Sequence, residues 1–107
     1  MITIQDFKKV EMKVGKIVAV EEHPGAEKLW VLRVDLAEGA LRTLVAGLKP
    51  YYTKEELAGK LVVVATNLQP ARIRGVESNG MVMAAQEGQN VVVLTLDRPI
   101  ASGSPVL

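Results

Sequence analysis

A short helix signal in the middle of a strand-rich chain constrains the fold more than any other feature. In "PYYTKEELAGK", Thr53 precedes Glu56 by three residues, which is the pattern of a capping box, and Gly59 follows as a stop signal. This segment predicts a helix of about two turns. The segments on either side have the apolar alternation and valine runs that are typical of strands. The predicted strands are residues 12–20, 29–36 and 41–48 before the helix, and 60–68, 81–85 and 90–96 after it.

The order of strands and helix predicts an all-β fold, a five-stranded OB-fold barrel whose short helix lies between strands 3 and 4. A small β-sandwich is the competing architecture, but it has no place for a capped helix in that position. Thr3 and Asp6 predict a short N-terminal helix before the first strand. Gly15 interrupts that strand and the apolar positions change parity after it, which predicts a bulge or a barrel corner. In OB-fold barrels, ligands lie across strands 2 and 3 and under the surrounding loops.

The composition fits a single well-packed domain that spans residues 1–107. Hydrophobic residues make up 49% of the chain and aromatic residues only 4%, so we expect an aliphatic core. The chain has no cysteine, which excludes disulfides and thiolate metal sites. We find neither a signal sequence nor an apolar run long enough to span a membrane. We therefore expect a soluble, cytoplasmic protein.

Catalytic chemistry has few candidate residues in this chain. The only histidine, His23, lies in a Pro-Gly loop, where we expect a surface polar residue. One histidine without cysteine cannot form a metal cluster or a Cys-His pair. The segment "RGVESNG" has two glycines but lacks the lysine and the following helix of a phosphate-binding loop. We therefore expect a non-enzymatic domain with no cofactor and no metal ion.

Positive charge is concentrated in residues 41–75, which carry six basic and two acidic residues although the net charge of the whole chain is only +1. The segment ends with Arg72 and Arg74, just before a Gly-x-x-Ser-x-Gly turn. A patch of this size can bind a few phosphates, and the alternative interpretation is a solvated polar face.

The loop at residues 69–86 is expected to lie beside the face of strands 2 and 3. We expect its arginines, Ser78 and Met81 to face outward, and Val82–Ala85 to anchor it in the core. Asn67 closes a run of valines, where an amide either bonds the backbone of the Pro70 loop or contacts a ligand. The cations expected on the neighbouring strand face are Lys28, Arg33 and Arg42.

Three motifs resemble those of one family when they are taken together. The motif His-Pro-x-Ala-x-Lys-Leu covers residues 23–29, Asn-Leu-x-Pro covers residues 67–70, and Arg-Gly-x-x-Ser-x-Gly-Met covers residues 74–81. With the closing "PIASGSPV", they make nearly the whole chain similar to the tRNA-binding domain family. Its members occur as free-standing dimers and as appendices of methionyl-tRNA synthetases. They also occur in cytokine-like synthetase cofactors and in the bacterial phenylalanyl-tRNA synthetase β chain.

The resemblance implies an OB fold that recognises the outer corner of folded tRNA by shape, largely without sequence preference. It also implies an aminoacyl-tRNA synthetase as a partner. A homodimer is expected, because the N-terminal helix and the apolar tail at residues 99–107 are not obviously needed to close a barrel. The alternative is the related export-chaperone branch, which binds unfolded polypeptides on the same fold. That branch lacks the first and last motifs in this form, so tRNA binding is favoured.

The resemblance assigns tRNA-binding roles to six residues, and strand geometry adds two arginines. Arg72 stands where lysine is frequent in the family, which keeps the charge but changes the hydrogen-bond geometry. Asn79 stands where Glu or Gln is common, which shortens the reach of the side chain. The residues expected to bind tRNA are Lys28, Asn67, Arg72, Arg74, Ser78 and Met81 from the resemblance, and Arg33 and Arg42 from the strands.

Overall fold

The structure, a computed structural model, describes all residues from 1 to 107. Five strands form the main sheet, in the order β3-β2-β1-β4-β7, and two hairpins, β5–β6 and β8–β9, lie outside it. The helices and strands are α1 (Ile4–Phe7), β1 (Met12–Glu22), β2 (Trp30–Asp35), β3 (Arg42–Ala46), α2 (Lys54–Leu57), β4 (Leu61–Ala65), β5 (Ala71–Ile73), β6 (Val76–Ser78), β7 (Met81–Val82), β8 (Ala84–Glu87) and β9 (Asn90–Val93).

The all-β OB-fold barrel predicted from the element order is confirmed, with α2 between β3 and β4. Thr53 and Glu56 form the predicted capping box, in which each side chain accepts a hydrogen bond from the amide of the other residue. Gly59 follows with a φ of +84°, the left-handed conformation of a helix stop. The prediction of about two turns is wrong, because Ala58 already has extended backbone angles and α2 has only four residues.

The long strand β1 gives the barrel its curvature. Residues 12–16 pair with β4, whereas residues 16–22 pair with β2. The register against β2 shifts around Val18, which is a half-exposed bulge residue. A Cβ atom at Gly15 would lie 2.6 Å from Cγ1 of Val34, so the strand packs too closely there for any side chain. The bulge at Val18 changes the parity of the inward-facing positions between Ile17 and Val20, and Gly15 marks a close approach to the core.

The barrel interior holds an aliphatic core, as the composition predicts. Leu57 of α2 packs into it, and Trp30 is its one aromatic member. The Trp30 indole donates to the Tyr52 carbonyl at 2.8 Å, which satisfies its buried polar atom. The core cluster consists of Ile17, Trp30, Leu32, Val34, Leu36, Leu44, Leu48, Leu57, Val62, Val64 and Val93.

A seam between β3 and residues 78–80 closes the barrel. The Asn79 amide donates to the Thr43 carbonyl at 2.9 Å. The Val45 amide donates to the hydroxyl of Ser78, also at 2.9 Å. A serine side chain thus takes the place of a backbone acceptor between the two edges of the main sheet. We refer to these contacts as the closing seam.

Three segments differ from their predicted form. The predicted strand at 81–85 is broken at Met83, so β7 pairs with β4 while β8 turns away to pair with β9. Residues 71–78, predicted as a loop, contain the β5–β6 hairpin. The predicted strand at 90–96 ends at Val93.

The tail at residues 99–107 has no regular strand, yet it is bonded to the barrel. The Gly103 amide donates to the Val14 carbonyl at 2.7 Å, and the Val14 amide donates to the Ser104 carbonyl at 2.8 Å. The tail therefore covers the part of β1 that β2 leaves unpaired. None of the helices is long and apolar enough to cross a membrane.

Candidate nucleic-acid interface

An open groove of about 890 Å³ lies between the loop at residues 23–29 and the tip of the β5–β6 hairpin. Lys28, Lys49 and Arg74 line it, and Glu27 is the only acidic residue on its walls. The fold thus brings together two predicted site residues, Lys28 and Arg74, that lie far apart in the sequence. We refer to this feature as the cation groove.

The predicted cations Lys28, Arg72 and Arg74 are exposed, and no acidic side chain pairs with them. The ion pairs of the structure involve other basic residues. Arg72 lies opposite Glu77 in the hairpin register without forming an ion pair. A cation that has no protein partner can meet a phosphate without first losing an interaction. Among the predicted site residues, these three are therefore the best prepared to bind a polyanion.

Arg74 forms the tip of the hairpin together with Gly75. Their φ angles are +53° and +89°, so both residues are left-handed, as in a type I′ turn. Asn, Asp and Gly are the residues that such a turn favours, and a left-handed arginine costs about 1–2 kcal/mol. An arginine kept in an unfavourable conformation at an exposed tip favours a functional role for its side chain.

The two arginines added from strand geometry are held by the protein itself. Arg33 pairs with Glu21 at 2.9 Å and donates to the Thr43 hydroxyl. Its side chain is 40% exposed, so it can still meet solvent or a ligand. Unlike Lys28 and Arg74, however, it would have to share its charge with a carboxylate.

The Arg42 side chain is held at the closing seam by bonds within the protein. Its guanidinium pairs with Glu38 at 2.8 Å and donates to the backbone carbonyls of Thr66, at 2.6 Å, and Asn79, at 3.1 Å. The hydrogen bond from Arg42 lowers the pKa of the Glu38 carboxyl below its ordinary value. Arg42 thus joins β3 to the end of β4 and to the segment before β7.

Both polar atoms of the Asn67 side-chain amide form hydrogen bonds within the fold. Its oxygen accepts from the Glu11 amide at 2.8 Å, and its nitrogen donates to the Lys9 carbonyl at 2.6 Å. The expectation that it bonds the Pro70 loop is wrong, since its partners lie between α1 and β1. Asn67 is exposed but does not line the cation groove.

Ser78 is buried, with only 3% of its surface exposed, so the expectation that it faces outward is wrong. Its hydroxyl accepts from the Val45 amide and donates to the Gly80 carbonyl at 3.0 Å. Both bonds hold the closing seam in place.

Met81 is exposed, as expected, with 49% of its surface accessible. The anchoring expected of Val82–Ala85 is only partly correct. Val82 packs against the core, but Ala84 and Ala85 are exposed because β8 has left the main sheet.

The sequence did not predict roles for Lys49 and His23. Lys49 forms an ion pair with Glu22 and lies 4.9 Å from the centre of the Trp30 ring, and its hydrogen bond lowers the pKa of the Glu22 carboxyl. No local pattern marks this lysine. His23 is buried, with 6% of its surface exposed, so the expectation of a surface residue is wrong. Its place in the His-Pro motif was the signal that could have identified it.

Residues 12–105 match the family model described as "Putative tRNA binding domain". The methionine–tRNA ligase of Pyrococcus furiosus is 48% identical over 105 residues, and that of Nanoarchaeum equitans is 48% identical over 106 residues. The matches cover 98% and 99% of this chain but only 14% of each ligase, so the chain spans about one seventh of the length of these relatives.

Solved structures share the fold over the full chain. A MetRS-related protein from Pyrococcus horikoshii superposes with a TM-score of 0.91 at 31% identity, covering 100% of this chain and 98% of the other. The CsaA chaperone protein from Picrophilus torridus superposes with a TM-score of 0.91 at 28% identity, covering 100% of both chains.

Proposed function

Because the chain belongs to the tRNA-binding domain family, we propose that it binds folded tRNA at the outer corner, by shape and largely without sequence preference. The domain is a non-catalytic module related to a region of methionyl-tRNA synthetases. The observation that carries the proposal is the set of unpaired cations Lys28, Arg72 and Arg74 at and beside the cation groove. Lys28 and Arg74 come from distant parts of the chain to one groove, although the net charge of the chain is only +1.

The proposed contacts divide into positioning and reading contacts. Lys28, Arg72 and Arg74 meet phosphates, and the exposed thioether of Met81 packs on a sugar or an unstacked base. Arg33 adds charge on the neighbouring strand face. The remaining predicted residues, Arg42, Asn67 and Ser78, act in this proposal mainly by holding the surface in shape.

Binding of this kind depends on salt. With about three to five phosphates neutralised, the logarithm of the association constant should fall with the logarithm of the salt concentration with a slope of about −2 to −4.5. Filter binding over a salt series measures this slope. R72A and R74A should each reduce its magnitude by about 0.7–0.9, whereas R98A, which removes an arginine paired with Asp97, should leave it unchanged. Binding that does not respond to salt would contradict the proposal.

Binding of unfolded polypeptides is the second candidate function, favoured by the likeness to a CsaA chaperone protein. A gel-shift competition separates the two. Labelled folded tRNA is challenged with the same tRNA unfolded and with a denatured polypeptide. The tRNA proposal expects folded tRNA to compete best, and the chaperone alternative expects displacement by the polypeptide.

We propose two partners besides tRNA. One is an aminoacyl-tRNA synthetase, which the likeness to methionine–tRNA ligases supports. The other is a second copy of the chain, which would cover apolar residues of α1 and of the tail. We propose a cytoplasmic location, which would follow from such a function in translation.

A further inference from the structure

We propose that His23 is a positioning residue of the tRNA interface, which fixes the tip of the β5–β6 hairpin against the loop at residues 23–29. This inference rests on the proposed function, because the tip and the loop carry the cations Arg74 and Lys28. His23 itself is buried, with 6% of its surface exposed, and contributes to the lining of the cation groove beside the two cations. It acts through the distance and orientation that it imposes on the two walls of the cation groove.

Both nitrogens of the His23 ring have backbone partners. Nδ1 accepts from the Gly25 amide at 2.9 Å, and Nε2 lies 3.0 Å from the Ile73 carbonyl oxygen. An amide can only donate and a carbonyl can only accept, so Nδ1 carries no proton and Nε2–H is the donor. A single neutral tautomer satisfies both bonds, one within the loop and one across the groove.

The bond to Ile73 joins the hairpin directly before its strained turn. Ile73 is the last residue of β5, and the left-handed Arg74 and Gly75 follow it directly. A Cβ atom at Gly25 would lie 3.6 Å from the Arg74 carbonyl oxygen, so the loop also packs against the turn itself. The histidine therefore fixes the strand end from which the strained turn begins.

The hairpin has few other attachments. The β5–β6 pair is a separate two-stranded sheet, and Ser78 ties its far end to β3 through the closing seam. The tip lies at the opposite end of the hairpin, where the His23 bond crosses to the loop. A two-stranded ribbon is only marginally stable by itself, so loss of this bond frees the tip. Binding would then have to restore the order that the bond now supplies.

Two substitutions test the two hydrogen bonds of the His23 ring separately. In H23N, the shorter side chain can still accept from the Gly25 amide in an Asx turn, but it cannot reach Ile73. In H23Q, the longer amide can donate to the Ile73 carbonyl from a position close to that of Nε2. We expect H23N to weaken binding of folded tRNA about three- to ten-fold, and H23Q to restore most of that loss.

A double-mutant cycle tests whether His23 acts through Arg74. The effect of H23N should shrink to less than two-fold in an R74A background and persist in an R98A background. A merely structural histidine would weaken binding equally in both backgrounds, and that result, or equal affinity of H23N and the wild type, would overturn the inference. If H23N does not fold, H23Q is used instead: because it keeps the bond to Ile73, its affinity should stay within about two-fold of the wild type in both backgrounds, and a larger loss would overturn the inference.

A measurement without RNA tests the inference independently of the proposed function. Amide hydrogen exchange at residues 74–76 should be at least several-fold faster in H23N than in the wild type, and close to wild type in H23Q. If the wild type showed no preference for folded tRNA, the proposed function would fail while this exchange pattern still tested the fixing of the tip. Unchanged exchange at the tip in H23N would refute the fixing itself.

Discussion

Arg74 has a backbone conformation that its own side chain does not favour. The turn it forms with Gly75 would be more stable with asparagine at the first position, since asparagine tolerates positive φ. An exposed arginine at such a position suggests that its charge has a use that outweighs the strain. Stability and binding should therefore respond to this residue in opposite directions.

We predict that R74N stabilises the fold and weakens tRNA binding. The unfolding free energy should rise by up to about 1 kcal/mol, and the affinity should fall several-fold because one phosphate contact is lost. Chemical denaturation and filter binding measure the two effects. R72N is the matched control: Arg72 is not among the left-handed residues, so binding should weaken without any gain in stability.

Ser78 shows how one side chain can support the barrel and the site together. S78A leaves the Val45 amide without its acceptor in a buried place, which should lower the unfolding free energy by about 1–3 kcal/mol. S104A also removes a side-chain hydrogen bond, to Ala101, but at an exposed position, so its cost should be smaller. If S78A left stability unchanged and only weakened tRNA binding, direct contact with RNA would be the better account of this serine.

The β2–β3 hairpin is tied to the closing seam by the pair of Glu38 and Arg42. The lowered pKa of Glu38 means that its ionised form stabilises the folded state. That contribution is complete above the ordinary pKa of about 4.5 and is lost as the pH falls through the lower value in the folded protein. The ion pair of Glu38 and Arg42 should therefore stabilise the fold less in acid.

We predict that E38Q is less stable than the wild type near neutral pH, by on the order of 0.5–1 kcal/mol. The two proteins should converge in stability as the pH falls below about 4.5, because the wild-type carboxylate is then neutralised as well. Urea denaturation at a series of pH values measures the gap. E87Q removes an exposed carboxylate of β8 that has no ion pair and should show no comparable gap. If the difference in unfolding free energy between E38Q and the wild type did not change with pH, the ionised Glu38 carboxylate could not be its source.

The order of the elements could be predicted because its signals are local. The capping box of α2 and the alternation in β2 each lie within a few residues. The β5–β6 hairpin could not be predicted, since strands of three residues carry no usable period and Arg-Gly is not a common type I′ pair. The motifs indicated which polar residues matter, but not which ones the fold itself uses. Asn67 bonds Lys9 across 58 positions of the chain, and no local pattern reports such a contact.

At the scale of the whole molecule, the two ends of the chain form one apolar groove of about 420 Å³. We refer to it as the terminal groove. Helix α1 contributes exposed Ile4 and Phe7 and buries no residue, while Val106 and Leu107 come from the tail. A helix of a single turn is not stable by itself, and this one gains little from the core of its own barrel. A second copy of the chain that covered the terminal groove would supply the missing burial.

We predict a homodimer held together through the terminal groove. Sedimentation at micromolar concentration should give twice the chain mass of 11.6 kDa, and F7E should give the monomer because it places a charge in the apolar surface. F7E should still fold, since α1 buries no residue in its own protomer. V18E is the control, because Val18 is about as exposed as Phe7 but lies on the bulge of β1, away from the groove, and it should leave the dimer intact. A wild-type protein that sedimented at 11.6 kDa would show that α1 and the tail serve a single barrel, with the terminal groove left open to another partner.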